Sequence, residues 1–91
     1  MKVSSDFILR EIAGEFILVP VGSAAAQFNG LITLNETART IFLALAQERT
    51  VEELTDAVTA EYEVDRETAR ADVEEFLRQL REVGALVEDH T

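Results

Sequence analysis
The chain has 91 residues, 47% of them hydrophobic and 29% charged, which suits one folded domain over residues 1–91 and excludes both a second core and compositional disorder. Its 18 acidic residues against 8 basic ones give a net charge of -10, the wrong sign for a nucleic-acid binder. With no cysteine at all, disulfides, thiolate metal sites and cysteine nucleophiles are excluded, and a reducing, cytoplasmic location is expected.

In chain order, the opening Met1-Lys2-Val3-Ser4-Ser5-Asp6 lacks the apolar stretch of a signal peptide, and no run long enough to cross a bilayer occurs, so neither secretion nor a membrane span is expected. Phe7 to Ile12 and Glu15 to Val21 are two runs rich in Ile, Val and Phe, separated by the turn-like pair Ala13-Gly14, and this is a hairpin signature. Pro20 cannot donate to a sheet ladder, so the second strand ends or bulges near it. Gly22 to Ala26 reads as a small, Ala-rich link. Gln27 to Leu34 is a third extended segment, interrupted by Asn29-Gly30, a pair that tolerates positive φ and marks a turn or bulge. Its strand is Leu31 to Leu34, with Leu31 and Thr33 on one face and Ile32 and Leu34 on the other. So short a strand is typical of a sheet edge.

At Asn35 the period changes from two to 3.6. Asn35 is a good N-cap, and Ala38, Ile41, Phe42 and Leu45 then fall at i, i+3, i+4 and i+7, which predicts a helix ending near Ala46. Thr50-Val51-Glu52-Glu53 is a capping box that opens a second helix, with Val51, Leu54, Val58 and Tyr62 as its buried stripe. Asp65 caps a third and longest helix, in which Ala69, Val73, Phe76, Leu77 and Leu80 form the apolar face and Gly84 supplies the left-handed stop. Leu86-Val87 adds one more extended pair that covers the core. The sum, βββααα, is an α+β fold, a small winged-helix-like domain with a three-stranded antiparallel sheet followed by three helices. The last two helices are joined only by Glu63-Val64, the short joint of a helix-turn-helix.

Enzyme signatures are missing: no Gly-rich phosphate loop, no Gly-x-Ser-x-Gly elbow and no ligand cluster at metal spacing, so no catalytic residue, metal or cofactor is expected. The one histidine, His90, stands beside the final residue, where a frayed backbone cannot hold catalytic geometry. Glu52-Glu53, Glu74-Glu75 and Glu61 with Glu63 fall on expected exposed helix faces or in a loop, where burial gives a carboxylate little reason to change its proton affinity, so a solvated face is expected rather than a paired-carboxylate site. The second helix of a helix-turn-helix usually enters the major groove of DNA. Here it carries Arg66, Arg70, Arg78 and Arg81 but also Glu67, Asp72, Glu74, Glu75 and Glu82, and phosphates repel such a helix.

Those arginines are not evenly scattered. At about 100° per residue from Val73, Arg66, Leu77, Arg70 and Arg81 fall at roughly 20°, 40°, 60° and 80°, one stripe along one edge of the buried face. Asp72 and Gln79 stand on the opposite edge. The stripe is either a set of side chains that snorkel over core edges and pair with Glu74 or Glu67, or a wall that meets a ligand.

Taken together, Leu34-Asn35-Glu36-Thr37-Ala38 leading into Ile41-Phe42, Thr50-Val51-Glu52-Glu53-Leu54, Glu61-Tyr62-Glu63-Val64-Asp65 and Asp72 to Leu80 with Gly84 resemble the PqqD family. Leu9 to Glu15 and Leu18 to Gly22 look like that family too. The likeness runs from about Phe7 to Val87, specific collectively and generic motif by motif. It implies a precursor-peptide recognition element, a non-catalytic chaperone in natural-product biosynthesis. In such domains the leader of a ribosomal precursor peptide adds as an antiparallel strand to the third strand and lies between that strand and the third helix. The leader is then presented to a modifying enzyme, often a radical S-adenosylmethionine protein. Carried onto this chain, the expected peptide-binding residues are Leu31, Ile32, Thr33 and Leu34 on the strand, Val73 and Leu77 for an apolar leader side chain, and Arg66, Arg70 and Arg81 for an acidic one. The expected partners are therefore a precursor peptide and its enzyme, with no nucleic acid and no membrane. The alternatives are a winged-helix DNA-binding regulator and a module that docks an enzyme or a second copy through the same edge strand.

Overall fold
A computed structural model describes residues 1–27 and 30–88 of the chain. Asn29 of the expected Asn29-Gly30 turn, and His90, lie outside the described residues. The element order is β1 (Lys2–Val3), β2 (Phe7–Ile12), β3 (Glu15–Pro20), α1 (Ser23–Gln27), β4 (Ile32–Leu34), α2 (Glu36–Ala44), α3 (Val51–Glu61), α4 (Arg66–Glu82) and β5 (Leu86–Val87). The expected α+β arrangement is present: an antiparallel sheet in the order β2-β3-β4, followed by helices.

The hairpin closes as its turn residues dictate. β2 and β3 pair antiparallel from Phe7 opposite Pro20 to Ile12 opposite Glu15. Ala13 and Gly14 between them both have positive φ, 55° and 81°, as a two-residue type I′ loop requires. β3 ends at Pro20, where the missing N–H stops the ladder. β4 then pairs with β3, Leu34 opposite Phe16 and Ile32 opposite Leu18.

Three expectations are corrected here. The segment Gly22 to Ala26 is not a link and Gln27 is not extended: Ser23–Gln27 form a short helix, because three consecutive alanines favour helix locally and the Ser23 hydroxyl donates to Asp6 Oδ2 at 2.9 Å. Leu31 stands outside the strand, which begins at Ile32. The first long helix is also shorter than its pattern suggested, ending at Ala44, with Leu45 and Ala46 in the turn that follows.

Each long helix starts at its predicted cap. Asn35 Oδ1 accepts from the Ala38 N–H at 2.8 Å. The Thr50 hydroxyl accepts from the Glu53 N–H at 3.1 Å while Glu53 accepts from the Thr50 N–H at 2.9 Å, both halves of the capping box. Asp65 Oδ1 accepts from Thr68 at 2.7 Å. At the far end of α4 the Ala85 N–H reaches Leu80 O at 2.8 Å and the Gly84 N–H reaches Arg81 O at 3.1 Å. With Gly84 at φ 75° this is a Schellman stop, which seals the helix end and turns Ala85 inward.

The five apolar residues predicted on α4 are all buried. They meet Leu54 and Val58 of α3, Ile41 and Phe42 of α2, and Phe7, Leu18 and Leu34 of the sheet in one core. Thr55, which the apolar stripe of α3 omitted, is also buried, and its hydroxyl is satisfied by Val51 O at 2.8 Å. Tyr62, half-buried at the end of α3, donates to Glu36 O at 3.0 Å, so its 3.0 Å contact with Thr40 Oγ1 uses the threonine proton. That pair ties α3 to the start of α2.

β1 was not foreseen. It pairs antiparallel with β5, Val3 opposite Leu86, and the Val3 N–H donates to Leu45 O at 2.9 Å and the Ser4 N–H to Ala85 O at 2.8 Å. The ribbon thus joins the ends of α2 and α4.

Leu77, 1% exposed in the core, tests the packing. Leu77→Ala is expected to lower the free energy of unfolding by about 2–5 kcal/mol, measured by urea titration, with the slope of the transition unchanged.

Candidate peptide-binding site
β4 supplies the first part of the site. Its alternation sends Leu34 into the core and Ile32 against it, while Thr33 points outward and is exposed. β3 occupies one side of the strand, and among the described residues no strand occupies the other. The outward N–H and C=O groups are therefore available to an added strand. Leu31, just ahead of β4, is 62% exposed.

The second part opens at the carboxyl end of β4, where Asn35 turns the chain into α2. Asn35, Ala38 and Ile41 face Asp72, Phe76 and Gln79 of α4 across a cleft of about 150 Å³. Ile41 and Phe76, both buried, give it an apolar floor. Asp72 at its rim forms no hydrogen bond or ion pair among the described residues.

The arginine stripe lies on the other edge of α4. Arg66 reaches Asp56 Oδ1 at 2.7 Å and Glu52 Oε2 at 2.8 Å, and Arg70 reaches Glu52 Oε1 at 2.6 Å and Glu74 at 3.1 Å. Arg81 pairs with Glu88 at 2.8 Å. Hydrogen bonding from Arg66, then the charge of Arg70, holds the Glu52 carboxyl below its ordinary range, and hydrogen bonds to Glu52 and then Asp56 raise Arg66. These pairs are about half exposed, so each is worth little alone. Their collective effect is to clamp α4 to α3.

The predicted residues therefore separate. Ile32, Thr33 and Leu34 lie at the free edge. Arg70, Leu77 and Arg81 come together with Val51 on a shallow depression along the α3 side of α4, and Arg66 pairs with α3. Val73 and Leu77 are 0% and 1% exposed, placed as core rather than as open receptacles for a ligand side chain. Asn35, Asp72, Phe76 and Gln79 were not assigned to the site from sequence, although the helical wheel had already put Asp72 and Gln79 on a separate edge. Among the described residues no group of three acidic or histidine side chains is placed to hold a metal ion, and no helix is long and apolar enough to cross a membrane.

The family described as Coenzyme PQQ synthesis protein D (PqqD) matches residues 15–86. The structure of TbiB1 in complex with the TbiA(beta) leader peptide is 28% identical, covers 100% of both chains and superposes with a TM-score of 0.76. That of a lasso peptide synthetase B1 complexed with the leader peptide is 22% identical over 96% of each chain, with a TM-score of 0.73, a likeness of fold. No curated protein matches the chain.

The clamp between α3 and α4 has a pH signature. Because Glu52 is held below its ordinary range in the folded chain, its contribution is present at neutral pH and is lost as acidification protonates the folded carboxylate. Denaturant titrations across the acid range are expected to show stability falling there, and Glu52→Gln is expected to flatten that fall.

Proposed function
This chain belongs to the PqqD family, and we propose that it is a non-catalytic chaperone that takes the leader of a ribosomally made precursor peptide as an added antiparallel strand on β4. The observation that carries this reading is the unpaired edge of β4 beside the α2–α4 cleft, in a chain 28% identical over its full length to a protein whose structure holds a leader peptide. A strand added there gains several main-chain hydrogen bonds, each worth a net ~0.5–1.5 kcal/mol. Those bonds give affinity without reading sequence, so selection falls to the cleft.

The cleft suits a leader side chain with an apolar body, received on Ile41 and Phe76, and a polar or cationic head near Asp72 and Gln79. With a net charge of -10, the chain draws neutral or basic leaders and disfavours acidic ones at long range. The arginines of α4 are bound to carboxylates of α3, α4 and Glu88, so an acidic leader would have to displace those partners. The same pairing leaves α4 poorly suited to DNA phosphates. The bound leader is then offered to a modifying enzyme, for example a radical S-adenosylmethionine protein.

The experiment is an NMR titration with the leader of the short precursor encoded beside this chain's gene. Amide shifts are expected at Ile32 to Leu34 and at Asn35, Asp72, Phe76 and Gln79. Shifts confined to Arg66, Arg70 and Arg81 would move the site to the arginine edge, and no shifts at millimolar peptide would reject leader binding for that peptide. Thr33→Pro removes a strand N–H that the register turns toward the free edge, since Ile32 and Leu34 stand opposite Leu18 and Phe16 and bond to β3, and it is expected to weaken binding about tenfold or more, with the helical circular dichroism retained.

A further inference from the structure
Strand register sorts the sheet into two faces. Leu9, Leu18 and Ile32 stand in one row across β2, β3 and β4, and Glu11, Phe16 and Leu34 in another; this side meets the core. On the opposite side Ile8 stands beside Val19, Arg10 beside Ile17 and Thr33, and Ile12 beside Glu15. Ile8, Ile17 and Val19 are half-buried yet are not among the described residues packed against the core, and Ile12 is 53% exposed. An antiparallel sheet with one face on the core ordinarily turns polar residues outward. Four branched aliphatic side chains stand there instead. Arg10, in their midst, has no hydrogen bond or ion pair among the described residues, whereas all four arginines of α4 are paired.

We propose that this outer face of the sheet docks the enzyme that modifies the bound peptide, through an apolar surface that presents a carboxylate to Arg10. The inference rests on strand addition at β4, and two observations select the occupant. The first is charge. A second copy would bring another net -10, and a two-fold face-to-face pairing would bring a second Arg10 to the same patch, whereas a foreign carboxylate satisfies the lone cation. The second is continuity. A peptide added to β4 becomes the next strand of the same sheet, about 4.8 Å from β4, so its outward residues extend the row of Arg10, Ile17 and Thr33. A protein seated on the outer face touches chaperone and peptide together, and by linkage each strengthens the binding of the other.

Thr33 marks the seam. Its backbone belongs to the strand that the peptide joins, and its side chain belongs to the outer face. An enzyme docked across that seam would discriminate the loaded chaperone from the empty one without reading the leader's inward residues.

The test uses the full chain, the purified modifying enzyme encoded beside its gene, and the labelled leader of the precursor encoded there. Leader affinity is read by fluorescence anisotropy and enzyme affinity by calorimetry, with and without leader. Arg10→Glu and Ile17→Thr, which retain exposed or strand-compatible side chains, are expected to weaken enzyme binding about tenfold while leader affinity stays within about twofold. Leader is expected to tighten enzyme binding to the wild type. Unchanged enzyme affinity in both variants, or no enzyme binding by the wild type, overturns the proposal. So does sedimentation showing a dimer that Ile17→Thr dissolves, which would give the face to a second copy. If the leader itself fails to bind, the reading of β4 falls, while the effect of the two variants on peptide-free docking still judges the outer face.

Discussion

The fold depends on a conflict resolved at Leu34. Its side chain must be buried to complete the core between sheet and helices, yet its backbone belongs to the outermost strand, with β3 on one side and, among the described residues, no strand on the other. A three-residue strand has little ladder energy of its own. It is held by the inward pull of Leu34 and Ile32 and by the Asn35 cap that begins α2 immediately after it. The edge is thus kept open by anchoring side chains rather than by pairing backbone. Lengthening the strand would make it a better template for indiscriminate aggregation.

Helix α4 divides its labour by angle. One stripe enters the core. The edge at positive angles carries arginines that meet Glu52, Asp56, Glu74 and Glu88, and the edge at negative angles presents Phe76, Asp72 and Gln79 to the cleft. The acidity of α3 therefore has a local purpose: its Glu52 and Asp56 neutralise Arg66 and Arg70 on the facing edge of α4. Arg10, by contrast, stands on the outer sheet without an ion pair among the described residues.

Most of the scaffold was legible in the sequence. Caps at Asn35, Thr50 and Asp65, the stop at Gly84 and the turn at Ala13-Gly14 are local chemistry, and local chemistry is written in adjacent residues. The elements that escaped were those decided at long range. β1 is two residues long and extended only because β5 lies beside it. α1 is five residues long, below the length at which hydrophobic period speaks. The site shows the same boundary. The wheel of α4 separated its two edges correctly, but which edge faces the cleft is fixed by the placement of α2 and α3, and no periodicity within α4 encodes that. Burial also separates Val73 and Leu77 from the groove, since an apolar residue at the centre of a stripe reads alike whether it meets core or ligand.

The ribbon of β1 with β5 carries a consequence for how the molecule assembles. The β2–β3 hairpin closes over a two-residue turn, and α3 meets α4 across a joint almost as short; both can form while most of the chain is still disordered. Pairing Lys2 with Val87 closes a loop that spans nearly the whole chain, so its entropic cost is met only after the helices have docked. By that entropic ordering the ribbon is expected to form after the helices have docked and to open before they part.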